Sequence, residues 1–208
     1  MNKNMLLVLF TGLLSLLGSF GVNGMSVEAK LSRGRTYGNL NLIKEAVAEG
    51  ITLDQLNESL ALAARNSYLD IVEFLLLNGA DINSTTSGST PLTIAAETNG
   101  AYNLNIVKFL INKGADINKQ GIYGWTPLMS AAIYGHKDIV AFLLSCGADA
   151  NVKNRDGETV FDIAKNSTNK NMTKIIEEGL KKYQENIKKE LSKYLSEVLE
   201  DIVCDYVY

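Results

Sequence analysis

The chain has 208 residues, room for one domain or one domain plus an appendage, and 46% hydrophobic with 21% charged residues is ordinary globular composition, which excludes general disorder. A formal net charge of −3 gives no electrostatic reason to expect a nucleic-acid partner. The two prolines, Pro91 and Pro127, each follow a threonine and precede a leucine, a first sign of internal repetition.

In chain order, the first element reads as a targeting segment. Lys3 is the only charge before Glu28, and Met5 to Phe20 is apolar apart from small residues and Thr11. A basic start, an apolar stretch and small residues make a secretory signal peptide over residues 1–24. Cleavage after Gly24 or after Ala29 suits the small-residue rule. The alternative is an uncleaved anchor, because Met5 to Val22 is almost long enough to span a bilayer. Exported chains meet oxidising conditions, so Cys146 and Cys204 either pair or remain two thiols.

The middle of the chain repeats. Gly79-Ala80-Asp81-Ile82-Asn83, Gly114-Ala115-Asp116-Ile117-Asn118 and Gly147-Ala148-Asp149-Ala150-Asn151 stand 35 and 33 residues apart. Before each lies an amphipathic helical pattern, as in Asp70-Ile71-Val72-Glu73-Phe74-Leu75-Leu76, Asn105 to Ile111 and Asp138 to Leu144. A second helix opens with Thr90-Pro91-Leu92, Thr126-Pro127-Leu128 or Thr159-Val160-Phe161. The threonine suits an N-cap and proline the first helical turn. Alanine pairs flatten these helices for close approach, and the glycine after each outer helix supplies a left-handed stop. The repeated Asp81, Asp116 and Asp149 fit turn and capping roles.

Upstream, Glu58 to Ala64 gives an inner helix without Thr-Pro-Leu, and Gly38 to Val47 fits an earlier outer helix. Its inner partner would begin near Ala29, which favours cleavage after Gly24. The third unit carries extra residues around Asn99 to Asn103, and the fifth loses its glycine-histidine junction at Ser167 to Asn171.

The period near 33, Thr-Pro-Leu, Gly-Ala-Asp-x-Asn and the junction Gly135-His136-Lys137-Asp138-Ile139-Val140 together resemble the ankyrin repeat, in the form of an exported, bacterial-type member. The resemblance covers roughly residues 26 to 180. It implies an all-α repeat solenoid of about five helix-turn-helix units with short β-turn hairpins, the terminal units degenerate, over 25–180. Beyond lies a C-terminal amphipathic helix over 181–208, with Ile187, Leu191, Tyr194, Leu195 and Val198 at helical spacing. It is either a cap over the last unit or a partner-binding or self-associating helix.

No catalytic machinery is legible. His136 is the only histidine and occupies a structural junction of the resembled family, which leaves no Ser–His or Cys–His system. No ligand cluster suggests a metal, and Gly121-Ile122-Tyr123-Gly124 lacks the Lys-Ser/Thr of a phosphate loop. No enzyme activity, cofactor, nucleic acid or small-molecule substrate is expected.

The resemblance implies a protein partner bound by hairpin tips and the concave inner-helix face. Carried over, the two positions after each alanine pair are Arg65 and Asn66, Glu97 and Thr98, and Ile133 and Tyr134. The fourth turn adds Ile122, Tyr123 and Trp125, apolar where the neighbouring turns carry Thr85, Thr86, Ser87 and Ser89, or Lys153, Arg155, Asp156 and Glu158. Either these rings meet a partner, or Trp125 packs on the adjacent hairpin. The expected setting is periplasmic or secreted; the alternatives are a host-directed effector of an intracellular bacterium and a structural oligomer joined through the C-terminal helix.

Overall fold

Helices dominate because the repeat writes a start and a stop around each short amphipathic run. The computed structural model of the protein describes residues 24–85, 88–98 and 101–206. Apart from Gly24, the targeting segment expected over residues 1–24 lies outside them, as do Thr86, Ser87, Asn99 and Gly100. The described residues form ten helices and no strand, in five successive inner–outer pairs: α1 (Val27–Tyr37) and α2 (Leu40–Glu49), α3 (Leu53–Arg65) and α4 (Leu69–Leu77), α5 (Pro91–Glu97) and α6 (Ala101–Asn112), α7 (Pro127–Ile133) and α8 (Lys137–Ser145), α9 (Val160–Lys165) and α10 (Met172–Tyr206). The fold class is an all-α repeat solenoid, divided into two compact units, Met1–Pro91 and Leu92–Tyr208.

Local chemistry sets the ends. Thr126 accepts from the Met129 amide ahead of Pro127, and Thr52 and Gln55 cap α3 reciprocally. After the outer helices, Gly79, Gly114 and Gly147 all take φ near +90° (92, 89 and 86°). The amide of the following alanine then donates back to Leu75, Leu110 or Leu143 at 3.0 Å. The aspartates close the turns: Asp81, Asp116 and Asp149 accept from the amides two residues on at 2.9, 2.9 and 2.8 Å.

In the first unit, α1 lies so close to α2 that a Cβ on Gly34 would stand 2.6 Å from Ile43 Cδ1. Lys30 is fully buried, its Nζ 2.8 Å from Glu45 and 2.6 Å from Glu49. The hydrogen bonds to these carboxylates, Glu45 first, raise its pKa above the usual lysine value. Arg35 joins α1 to α3, donating to Ser59 Oγ, Glu58 and the Gln55 carbonyl at 2.8 Å each.

In the second unit, Leu110, Ala131, Ala132, Val140, Leu143 and Leu144 have no exposed surface. The extra residues of the third pair lengthen its outer helix: α6 has 12 residues where α4 and α8 have 9. At the degenerate fifth junction, Ser167 Oγ donates to the Ala132 carbonyl and the Thr168 amide to that of Ile133. One outer-helix contact recurs in both units, with Lys44 over the Phe74 ring at 5.8 Å and Lys108 over Phe142 at 5.7 Å.

Helix α10 runs unbroken through 180 and 181, and burial is what changes near there. Met172 and Ile176 are buried, and residues 184–196 are all exposed. Its first turns pack along α8, where a Cβ on Gly179 would meet Leu144 Cδ1 at 2.6 Å and one on Gly147 would meet the Tyr183 hydroxyl at 2.8 Å. With Tyr183 beside Gly147, residue 204 lies about 31 Å further along the helix. That is far beyond the roughly 7 Å Cα separation a disulfide tolerates, so Cys146 remains a free, exposed thiol.

Leu143→Ala should cost about 2–5 kcal/mol in chemical denaturation, from lost apolar transfer and a residual cavity. A change below about 0.5 kcal/mol, typical of surface positions, would put the helix phase wrong. Gly179→Val should destabilise by about 1–3 kcal/mol through overpacking, although valine is the better helix former. Adding Leu144→Ala should recover part of that loss; no coupling between the two positions would mean that α10 does not dock here.

Candidate functional site

The fourth turn is built from the backbone of its neighbour. Gly121 N–H donates to the Trp125 carbonyl at 3.1 Å and Gly124 N–H to that of Gly121 at 2.9 Å, closing the loop that holds Ile122 and Tyr123 at its tip. Gly124 takes φ +76°, and a Cβ there would stand 2.8 Å from the Arg155 amide nitrogen. Glycine is therefore required both by conformation and by the adjacent fifth turn. Gln120 ties the two turns, its Nε2 donating to the Gly124 and Lys153 carbonyls, and the Arg155 amide donates to Tyr123 O at 3.3 Å. Composition singled out the rings of this turn; Gln120 and Gly124, which fix it, carry no sequence signal beyond being polar and small.

The turn's apolar residues separate by burial. Tyr123 is 66% exposed and Ile122 45%, whereas Trp125 is half-buried at the base of the turn, next to the buried Thr126. At the far end of α7, about 10 Å along the helix axis, Tyr134 is 52% exposed and Ile133 half-buried.

Glu97 belongs to the Tyr134 group. Ser130 Oγ donates to its carboxylate at 3.3 Å, and its carbonyl lies 3.1 Å from His136 Nε2. A carbonyl only accepts, so His136 Nε2 carries the proton in this contact. The Tyr134 ring stacks on His136 with centroids 6.1 Å apart and an interplanar angle of 16°. His136 thus fixes the end of α5 and supports the exposed Tyr134. Tyr68 holds the corresponding place in the first unit, its hydroxyl donating to the Thr36 carbonyl at 3.2 Å. Before it, Ser67 takes the left-handed φ of +61° that Gly135 takes at +78°.

Thr98 is half-buried, its hydroxyl donating to the Ile94 carbonyl at 3.1 Å. Arg65 and Asn66 are exposed in the first unit, and Asn66 Nδ2 donates to the Arg35 carbonyl at 3.3 Å. The structure therefore brings Glu97 and Tyr134 together, holds Ile122, Tyr123 and Trp125 in one turn, and leaves Arg65 and Asn66 in the other unit. Asn118 Oδ1 accepts from the Asp149 amide at 2.9 Å, another link between successive turns. Among the described residues, no three His, Cys, Asp or Glu side chains gather in a geometry to hold a metal ion.

Residues 60–154 match the family model for ankyrin repeats, described as three copies. The chain is 46% identical over 77 residues to the ankyrin repeat and SAM domain-containing protein 6 of Rattus norvegicus, covering 36% of this chain and 8% of that protein. It is 32% identical over 147 residues to the tyrosine-protein kinase HTK16 of Hydra vulgaris, covering 67% of this chain and 19% of the kinase. Over 41 residues it is 51% identical to the human NAD-capped RNA hydrolase NUDT12, covering 20% of this chain and 9% of the hydrolase. The chain thus spans less than a fifth of the length of these curated relatives. With its repeat period, its five helix pairs and this match, the chain is an ankyrin-repeat protein.

Proposed function

We propose that this chain is an exported module that binds a partner protein through the fourth turn and the adjoining inner-helix ends of its second unit. Ankyrin repeats are in general protein-interaction modules. The observation that carries the reading is the exposure of Tyr123, Ile122 and Tyr134 on a backbone held rigid by Gln120, Gly124 and His136. Large rings presented on a fixed frame lose little conformational entropy on binding, and Tyr is enriched at interface hot spots. Trp125, being half-buried, serves as a packing residue at the base of the turn as well as a contact at its edge.

Tyr123→Ala and Tyr134→Ala should each weaken partner binding by about 2 kcal/mol, roughly 30-fold, with the thermal midpoint unchanged. Lys153→Ala in the neighbouring polar turn should have a much smaller effect. Isothermal titration against the captured partner, paired with thermal melts, reads both quantities. Parallel loss of binding and stability in the tyrosine variants would assign these rings to the core and overturn the site.

Export enters the proposal through the apolar segment at residues 5–20 and the start of the fold. Ser26 caps α1 by accepting from the Ala29 amide at 3.3 Å, so cleavage after Gly24 keeps the cap and cleavage after Ala29 removes it with the first turn. N-terminal sequencing of the exported protein should begin at Met25; a sequence beginning at Met1 would replace export with a retained anchor.

A further inference from the structure

Beyond Tyr183 the last helix leaves the surface that supports it. Residues 184–196 are all exposed, among them Ile187, Leu191, Tyr194 and Leu195, at 49 to 63% of their area. At about 100° per residue these four fall on one stripe of α10, and Val198 and Ile202 continue its phase. No described residue covers this stripe, and an exposed apolar stripe of this kind marks an interaction surface.

The charge along this helix says what covers it. From Lys181 to Lys193 there are five lysines and two glutamates; from Tyr194 to Tyr206 there are Glu197, Glu200, Asp201 and Asp205 and no lysine or arginine. One half is basic, the other acidic, and the change falls at Tyr194, the middle of both the apolar stripe and the projecting segment. A second copy laid antiparallel sets each basic half against an acidic half and stripe on stripe. A parallel copy would set like charge on like, at a cost. The antiparallel arrangement also places the two packed bodies, which meet α10 before residue 184, at opposite ends of the helix pair.

We propose that the projecting part of α10 pairs antiparallel with that of a second copy of this chain, centred near Tyr194, making the protein a dimer. The two repeat arrays would then be joined through a helix seam that leaves the fourth turn of each copy free. Two linked arrays engage a paired or repeated target with an effective concentration that a single array lacks.

Sedimentation equilibrium of the full chain over a concentration series should show a monomer–dimer equilibrium. Lys188→Glu, at a position flanking the stripe, should weaken it severalfold at low salt by setting acid against the acidic half of the second copy. Adding Asp201→Lys, which also flanks the stripe, in the same chain should restore it. Circular dichroism should stay unchanged, since residue 188 is exposed. Orientation is read by electron–electron distance measurement on chains with both native cysteines replaced by serine. Labels at Ser192 should lie within about 25 Å of each other, and labels at Lys182 about 36 Å apart along the helix axis. A chain monomeric at every concentration, a dimer indifferent to the charge reversal, or close labels at both positions would overturn the proposal.

Discussion

Within each compact unit, the described helix pairs depend on one another for burial. The inner helices of the second unit have six or seven residues, too short to persist alone, and the apolar faces of the outer helices are wider than their own inner helices can cover. Val107, Leu110, Val140 and Leu143 reach complete burial only within a stack of pairs. Alanine supplies the closeness that this requires: Ala95, Ala96, Ala131 and Ala132 have no exposed surface, and a larger residue at these places would hold the helices apart.

The polar links are organised by the same constraint. Loops that sit side by side must satisfy their backbone groups across pairs, which Asn118 does for Asp149, Gln120 for Lys153 and His136 for Glu97. These bonds do little for the apolar core, but they hold the turns in place and free the side chains at the tips. Tyr123 stands exposed on a turn whose backbone is tied at Gly121, Gly124 and the Tyr123 carbonyl. Rigid elements and variable tips divide the labour between folding and recognition.

The first and last described pairs solve the burial of a helix differently. Between α1 and α2, the buried ammonium of Lys30 reaches two solvent-accessible carboxylates, Glu45 and Glu49. Desolvation of the ammonium offsets much of the attraction, so the group adds little net stability, but it ties α1 to α2, and removing the carboxylates would strand the buried charge. At the other end the contact is apolar and close, Gly179 and Leu144 admitting α10 against α8. That contact ends near Tyr183, and the rest of the helix carries an apolar stripe that the pair itself does not use.

What the sequence determined alone is local. The helix starts at Thr126 and Thr159, the stops at Gly79, Gly114 and Gly147, and the Asp turns involve groups within five residues of one another. Their physics therefore repeats wherever the residues repeat. The same periodicity carried the expectation of about five units and of a long last helix. The tertiary structure decided whatever depends on which side chain a neighbouring pair covers. Lys30 is charged and reads as exposed until α2 closes on it, 15 and 19 residues away. Gly179 reads as a weak helix break until α8 arrives beneath it. Trp125 and Tyr123, two residues apart in an equally aromatic turn, part company because one faces the base of its loop and the other the solvent. Exposure belongs to the assembled stack, and no window of the chain contains it.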